Sequence, residues 1–264
     1  MQICCINDEG VLYMGKRRPS WDYQHYIRYL KEGRGQGTGA DYRPWIYIHD
    51  FPSRGVSARV PGRTTGRIHH LLSRNEEYYF YILDEDPDVL DIREQFPLRL
   101  TETMEIARRL NIRHPWKGDF PFVMTTDFLI TRTDGLHART IKCSDELEKP
   151  RVIEKFTIEH AYWMARGIDW KIVTEKQICR DRALNCQWLY SGEAPENIIP
   201  DPAALKEAQA SLLELIDEDG LLPADCIRPF EDSFRLPAGS AIILYKSLII
   251  NASISPDMSR KLFS

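Results

Sequence analysis

From residue 73 onward, hydrophobic and polar positions follow helical and strand spacings in a regular order. The first segment opens with Ser73-x-x-Glu76, which has the form of a helix-capping box. Asp134-Gly135, between two β-rich runs, is a strong signal for a hairpin turn. The spacing predicts, in chain order, a helix over 73–83, strands over 89–96, 122–132 and 137–143, a helix over 151–166 and a strand over 169–174. This order predicts an α/β core in which helices flank a sheet.

The pattern changes on both sides of this core. Residues 20–31 predict a short helix capped by Ser20, followed by the glycine-rich loop Gly33-Arg34-Gly35-Gln36-Gly37. The loop lacks the Gly-Lys-Ser/Thr end of a nucleotide-binding loop, which leaves a contact with the DNA backbone or a plain connector as interpretations. The pattern breaks near 176–200. Beyond it, segments 202–216, 224–234 and 241–250 predict a small, mostly helical domain.

The 264 residues are 43% hydrophobic and 28% charged, as is typical of a globular protein. The net charge is −4, but it is unevenly distributed. Residues 16–74 hold 12 Lys/Arg and 4 Asp/Glu, a formal charge of +8, whereas residues 181–264 hold 7 and 13, a charge of −6. The basic stretch is a candidate phosphate-binding surface, and an ordinary solvated surface is an equally good interpretation. The acidic end is better suited to docking a protein than DNA.

Other features of the sequence argue against zinc, membranes and export. None of the six cysteines forms a Cys-x-x-Cys pair, so we expect free thiols and no structural zinc. No apolar run approaches the ~20 residues of a membrane span. Residues 1–8 lack the basic start and apolar core of a signal peptide. We therefore expect a cytoplasmic protein with no membrane partner.

The predicted hairpin brings chemistry-bearing side chains together. With a two-residue turn at Asp134-Gly135, Asp127 lies directly opposite Lys142, and Thr140 shares their face of the sheet. An inconsequential ion pair on an exposed face would look the same. However, the apolar neighbours of Asp127 indicate burial, and a buried Asp–Lys pair favours a functional interpretation. Glu76 is a third candidate, either as the capping-box acid or as a metal ligand.

Two acids and a lysine suit phosphodiester hydrolysis. Carboxylates hold Mg²⁺, which prefers oxygen ligands and polarises a phosphate. A lysine orients or deprotonates the attacking water and stabilises the negative charge of the transition state. These residue types predict Glu76 and Asp127 as metal ligands, with Lys142 beside the nucleophile.

The element order and this residue set resemble the PD-(D/E)XK nuclease core, which is the core of restriction endonucleases. Several further stretches resemble the TnsA family, the endonuclease subunits of heteromeric bacterial transposases. These stretches are Lys31 to Gly37, Tyr42-Arg43-Pro44-Trp45, Gly66 to Ser73, Leu90 to Leu98, Met124 to Leu129 and Tyr162-Trp163. The resemblance runs from about residue 28 to 190. It implies an N-terminal extension over 1–19, a restriction-endonuclease-like α/β catalytic domain over 20–178, and a small, mostly α, winged-helix-like domain over 179–264.

Carried over residue by residue, the resemblance implies specific roles. Glu76, Asp127 and Lys142 fall on the catalytic positions of the family. Thr140 stands where relatives carry glutamine or an acid, so its hydroxyl and the Ile141 carbonyl become expected metal ligands beside Glu76 and Asp127. The acid Glu159 could substitute as a ligand, but we interpret it as a solvated helix residue. The residues expected to contact DNA are Arg34, Arg67, His69 and His70.

The family also implies a function and partners. We expect an endonuclease that uses Mg²⁺, with Mn²⁺ as a substitute, to cut the 5′ strands at double-stranded transposon ends during cut-and-paste transposition. Its implied partners are a TnsB-like transposase and a TnsC-like ATPase in the bacterial cytoplasm. Two alternatives remain open, a stand-alone restriction or repair nuclease and a non-catalytic factor that assembles the transposase.

Overall fold

The computed structural model describes residues 21–50 and 56–262, so the expected extension over 1–19 and the predicted cap Ser20 lie outside the described residues. The helices are α1 (Tyr23–Lys31), α2 (Arg74–Glu85), α3 (Leu100–Arg109), α4 (Pro150–Met164), α5 (Arg180–Leu189), α6 (Pro195–Ile198), α7 (Pro202–Leu213), α8 (Ala224–Ser233) and α9 (Ser240–Ile250). The strands are β1 (Ala58–Pro61), β2 (Ile68–Leu71), β3 (Val89–Pro97), β4 (Trp116–Lys117), β5 (Phe120–Pro121), β6 (Thr125–Arg132), β7 (Gly135–Ile141) and β8 (Asp169–Val173).

The central sheet has four strands in the order β3-β6-β7-β8. The first three are antiparallel to their neighbours, and β8 runs parallel to β7. Helix α4 makes the connection between the two parallel strands, as such a connection requires. The predicted mixed sheet flanked by helices is therefore confirmed. The sequence analysis missed α3 and the small hairpins β1–β2 and β4–β5.

The register of the β6–β7 hairpin differs from the prediction. Arg132 pairs with Gly135, so the turn is Thr133-Asp134 rather than Asp134-Gly135. The turn is held there because the Thr133 N–H donates to the Asp88 carbonyl at 3.0 Å. All pairs shift by two residues, and Phe128 lies opposite Arg139. The prediction that Asp127 directly faces Lys142 is wrong, because it rested on a register two residues away from the one that the hairpin adopts.

Apolar side chains fill both sides of the sheet. On one side, Phe80 and Leu83 of α2 pack with Phe128 and Ile130 of β6. On the other side, α3 and α4 pack with the sheet, with Ile158, Tyr162 and Trp163 of α4 buried among its side chains. Burying one such side chain stabilises the fold by about 1.5–3 kcal/mol, so this double packing fixes where α2 and α4 lie relative to the strands.

The N-terminal helix begins later than predicted. Helix α1 starts at Tyr23, and its N-cap is Asp22, whose carboxylate accepts from the His25 N–H at 2.9 Å. The described helix is therefore capped by Asp22, whereas the predicted cap Ser20 lies outside the described residues. Tyr29 of this helix packs into an aromatic cluster with Trp21 and Trp45, which links the segment to Val123 just before β6.

The predicted break over 176–200 is occupied by α5, which packs against α2 of the core. Ala183, Cys186 and Leu189 of α5 are buried, and the Tyr190 hydroxyl donates to Glu85 at 2.6 Å. Helices α7, α8 and α9 form a separate apolar cluster. Residues 174–262 contain helices and no strand, so the predicted helical character is confirmed, whereas a winged helix is not. Within the described chain, no helix is long and apolar enough to cross a membrane.

Candidate active site

Glu76 occupies the first turn of α2, where it is both a cap and a site residue. The Glu76 N–H donates to the hydroxyl of Ser73 at 3.2 Å, which confirms Ser73 as the N-cap of the predicted capping box. In return, the Glu76 carboxylate accepts from the Ser73 hydroxyl and from the Leu72 N–H, both at 2.9 Å. The side chain is nevertheless directed to the sheet, where it is buried beside Gln95. Capping fixes the carboxylate in one place without removing it from the site.

Asp127 lies near the start of β6 and is held by the neighbouring strand. One of its oxygens accepts from the Ile141 N–H at 2.7 Å, a position where a regular ladder would offer a carbonyl. The other oxygen lies 3.4 Å from the amide nitrogen of Gln95, which also lies 3.3 Å from Glu76. One amide therefore links the two predicted metal ligands.

Gln95 is a site residue that the sequence analysis missed. It lies inside β3 with a φ of +48°, a left-handed conformation that a non-glycine residue in a strand rarely adopts. Its backbone carbonyl accepts from the Trp45 N–H, and its side-chain oxygen accepts from Thr125. These contacts hold a strained residue between two acids, a combination that is concentrated at functional sites. The signal in the sequence was only its place in a resembling stretch.

Glu159 was interpreted as a solvated helix residue, and that interpretation is wrong. It is 3% exposed, on the inner face of α4. Its carboxylate accepts from the hydroxyls of Thr126 at 2.6 Å and Thr140 at 2.5 Å. Trp170 in turn donates to the Thr140 hydroxyl at 3.1 Å. Thr140 is thus hydrogen-bonded to Glu159 and Trp170, and its contact with a metal stays a prediction.

Lys142 follows β7 and reaches the same region. Its ammonium lies 2.5 Å from the carboxylate of Glu146, one helical turn away in the chain. This bond, together with a second from Lys149, lowers the pKa of Glu146 to about 2. Lys142 is about one-third exposed and therefore accessible to a substrate. Its catalytic role remains a prediction.

A cavity of about 310 Å³ brings these residues together. Three acids and two lysines contribute to its wall, beside apolar residues of the sheet and α4. The charged and predicted ligand residues are Glu76, Asp127, Thr140, Ile141, Lys142, Lys155 and Glu159. Residues from α2, β6, β7 and α4 thus converge on one space, as phosphodiester chemistry requires.

The ionised forms of the cavity acids are destabilised, so their pKa values are raised. Burial, and then repulsion by Asp127, raise the pKa of Glu76. Burial also raises the pKa of Asp127, against the opposing effects of the Ile141 N–H, Gln95 and Lys142. Burial raises the pKa of Glu159 to about 7, although the two threonine hydroxyls oppose it. Buried acids with raised pKa values favour the binding of a cation. The positive charge offsets both the loss of hydration and the repulsion between the carboxylates.

The donor set fits a hard divalent cation rather than zinc. No group of three or more His, Cys, Asp or Glu side chains suited to a metal lies within residues 21–50 and 56–262. Glu76 and Asp127 offer a pair of carboxylates, which lie 3.3 and 3.4 Å from the same Gln95 nitrogen. Such a pair suits Mg²⁺, which keeps several waters and usually takes one or two protein carboxylates. Glu76 and Asp127 are the residues that would hold it.

Three of the four residues expected to contact DNA are buried in other interactions. Arg67 makes a two-pronged salt bridge to Glu94, with distances of 2.8 and 2.6 Å. His69 is fully buried, 2.8 Å from the same carboxylate. Burial alone would raise the pKa of Glu94, but the hydrogen bonds from Arg67 and His69 lower it to about 2. The salt bridge and the hydrogen bond place Arg67 and His69 where they hold β2 against β3, and a DNA contact by either residue stays a prediction.

Arg34 has a comparable structural position. It is 6% exposed, bonded to Glu32 at 2.6 Å and to Asp50 at 2.5 Å. Its guanidinium lies 3.5 Å from the centre of the Tyr29 ring. The surrounding glycine-rich loop is packed tightly, because a Cβ on Gly35 would lie 2.2 Å from Pro97. Burial argues against a flexible connector and against direct DNA contact by Arg34. His70, which is half-buried beside Tyr47, remains accessible.

The sequence of this chain is similar to that of known proteins. Residues 86–175 match the family described as TnsA-like endonuclease N terminal, and residues 177–258 match TnsA endonuclease C terminal. The chain is also 41% identical over 244 residues to the Transposon Tn7 transposition protein TnsA of Escherichia coli. That alignment covers 91% of this chain and 88% of the relative. The chain therefore belongs to the TnsA family and is an endonuclease of DNA transposition.

Proposed function

We propose that this endonuclease cuts the 5′ strands at transposon ends in a reaction that depends on Mg²⁺, with Mn²⁺ as a substitute. The observation that supports it best is the convergence of Glu76 and Asp127, linked by Gln95, on a cavity that Lys142 also lines. When bound, the metal supplies charge that polarises the phosphate. The rest of the chemistry falls to side chains of this chain.

Each side chain has a defined task in this proposal. Glu76 and Asp127 stay ionised as ligands, at positions fixed by the helix cap and by the Ile141 N–H. Lys142 leaves Glu146 to orient the attacking water and to offset negative charge on the phosphate oxygens. Thr140 and Glu159 position α4 against the sheet.

We also propose that the chain acts with a TnsB-like transposase and a TnsC-like ATPase on double-stranded transposon ends. The acidic charge of residues 181–264 supports a protein-docking role for the C-terminal helices. We propose a catalytic domain over 20–178 and a C-terminal domain over 179–264. Helix α5 belongs to the second by sequence, but it packs on α2 and so contributes to the catalytic core. A truncation should therefore keep α5.

Plasmid nicking tests the proposal and separates it from the alternatives. The substrate is a supercoiled plasmid that carries the transposon ends, incubated with Mg²⁺, Mn²⁺ or EDTA, with and without the two partners. We expect metal-dependent nicks in the 5′ strands at the transposon ends, and we expect the transposase and the ATPase to stimulate them. Nicking elsewhere without partners would indicate a stand-alone nuclease. Assembly of the transposase without any nicks from this chain would indicate a non-catalytic factor.

The variant Glu76→Gln separates the ligand from the cap. Glutamine keeps an oxygen that accepts from the Leu72 N–H, so the stability loss should stay at about 1 kcal/mol or less. Loss of the charge should nevertheless abolish cleavage. Urea unfolding and nicking measure the two effects, and the variant Glu77→Gln on the same turn is the control. Full cleavage by Glu76→Gln would reduce Glu76 to a cap.

A further inference from the structure

Lys155 lies on the cavity wall, and no role considered so far uses it. It stands on α4 four residues before Glu159, a spacing that places both side chains on the same face of the helix. That face borders the catalytic cavity, which Lys155 lines together with Lys142 and Asp127. The cavity therefore has two lysines on its wall.

The two lysines differ in their partners. Lys142 is bonded to Glu146, and the nearby Arg151 is bonded to Glu154 at 2.6 Å. Lys155, in contrast, forms no hydrogen bond and no salt bridge with any residue of the described parts of the chain. Lys155 makes no ion pair with any of the three cavity acids, so its ammonium is not held by them.

The surroundings of Lys155 favour an anion from outside the chain. Lys155 lies exposed at the rim of the cavity, where partial loss of water around its ammonium, and then the positive charges of Arg151 and Lys142, lower its pKa. A negatively charged group placed among these cations would relieve both effects. A DNA phosphate is such a group, and lysine binds phosphate as a point charge.

We propose that Lys155 contacts a phosphate of the DNA strand that is cut and positions it over the two carboxylates. The inference rests on the proposed function, because it takes DNA as the occupant of the cavity. It assigns distinct tasks to the two lysines. Lys142 is held by Glu146 until the reaction, whereas Lys155 is available from the first encounter with DNA.

The deciding measurement is the salt dependence of DNA binding. Fluorescence anisotropy with a short labelled duplex, in Ca²⁺ to limit cleavage, gives the slope of log K against log salt for the full chain. Removing one phosphate contact should make the slope shallower by about 0.9. We expect this change for Lys155→Ala, near-wild-type behaviour for Lys155→Arg, and about 10²-fold slower plasmid nicking for Lys155→Ala.

Lys206→Ala is the matched control, because it removes an exposed lysine of α7 outside the cavity. A Lys155→Ala protein with the wild-type slope, or a Lys206→Ala protein with the same change, would overturn the inference. A lowered melting temperature with an unchanged slope would assign Lys155 a structural role instead. If the wild-type chain binds no DNA, the proposed function fails, and the inference fails with it.

Discussion

Two groups of buried acids in this molecule meet opposite electrostatic conditions. Glu94 on β3 is fully buried, where Arg67 donates to it at 2.6 Å and His69 lies 2.8 Å away. Glu76 and Asp127 converge on the next residue, Gln95, which offers them only a neutral amide. The pKa of Glu94 falls to about 2 under the influence of its partners, while burial and mutual repulsion raise the pKa of Glu76.

The difference separates structural acids from functional acids. A buried carboxylate that serves the fold is paired, because an unpaired buried charge is costly. A buried carboxylate without a cation partner keeps that cost in the isolated chain and lowers it when a cation binds. The distinction rests on partners and not on burial alone, since Glu94 and Glu76 are both buried and Asp127 is half-buried. Four changes test it, at Asp127, at Glu94, at the third cavity acid Glu159 and at the cavity lysine Lys142.

The largest expected effect comes from Asp127→Ala. We expect plasmid nicking in Mg²⁺ to fall by about 10³-fold or more, because one of two carboxylate ligands is lost. The metal-free protein should be at least as stable as the wild type, because repulsion with Glu76 disappears. Nicking rates and thermal unfolding in EDTA provide the measurements. The control Asp134→Ala, in the exposed hairpin turn, should nick normally. Retained nicking by Asp127→Ala would remove Asp127 from the site.

In the paired cluster, Glu94→Gln should destabilise the fold by roughly 3–5 kcal/mol, because Arg67 keeps a buried charge without its partner. Urea unfolding in EDTA measures this loss. Glu105→Gln on the surface of α3 breaks an exposed pair with Arg108 and should change stability by less than about 1 kcal/mol. Equal effects of the two variants would mean that the Glu94 cluster does not hold β2 against β3.

The two groups also predict opposite responses to pH. The pKa of Glu94 is lowered from 4.5 to about 2, so its stabilisation is present above pH 4.5 and is lost as pH falls towards 2. The pKa of Glu159 is raised to about 7, so its contribution is present below pH 4.5 and is lost as pH rises through 7. That loss is on the order of 3 kcal/mol at most.

Urea unfolding of the metal-free protein at pH 5 and pH 8 tests the second response. Wild-type stability should fall between these values, and Glu159→Gln should reduce the fall, because glutamine does not ionise and still accepts from both threonines. His160→Gln on the exposed side of α4 controls for other titrating groups. A profile that Glu159→Gln leaves unchanged would mean that Glu159 ionises without cost in the folded state.

The smallest of the four effects is expected for Lys142→Ala. The rate of nicking should fall by about 10²-fold, whereas Mg²⁺ affinity should change little, because the lysine acts on the transition state rather than on the ion. Calorimetric titration with Mg²⁺ and single-turnover nicking separate the two quantities. Lys171→Ala at the exposed edge strand serves as the control. Parallel losses of affinity and rate would show that Lys142 only balances the charge of the acids.

The sequence by itself determined the elements of the core and three of the charged side chains that line its cavity. Helix α2, strands β3, β6, β7 and β8, and helix α4 were predicted because their apolar spacing follows local geometry that each segment expresses alone. The capping box at Ser73 and Glu76 was recognised for the same reason. Glu76, Asp127 and Lys142 were found through residue chemistry and family resemblance, and they line one cavity.

Only the tertiary structure decided which of the charged residues are free to act. Arg34, Arg67 and His69 resemble DNA-binding residues in the sequence, but they bond to carboxylates that are distant in the chain. Glu159 resembles a solvated residue, but the packing of α4 buries it among threonine hydroxyls. The spacing of residues along the chain predicts which side chains lie on the same helix or strand. Charge pairing depends on distances between elements, and these are fixed only when the sheet, α2 and α4 pack together.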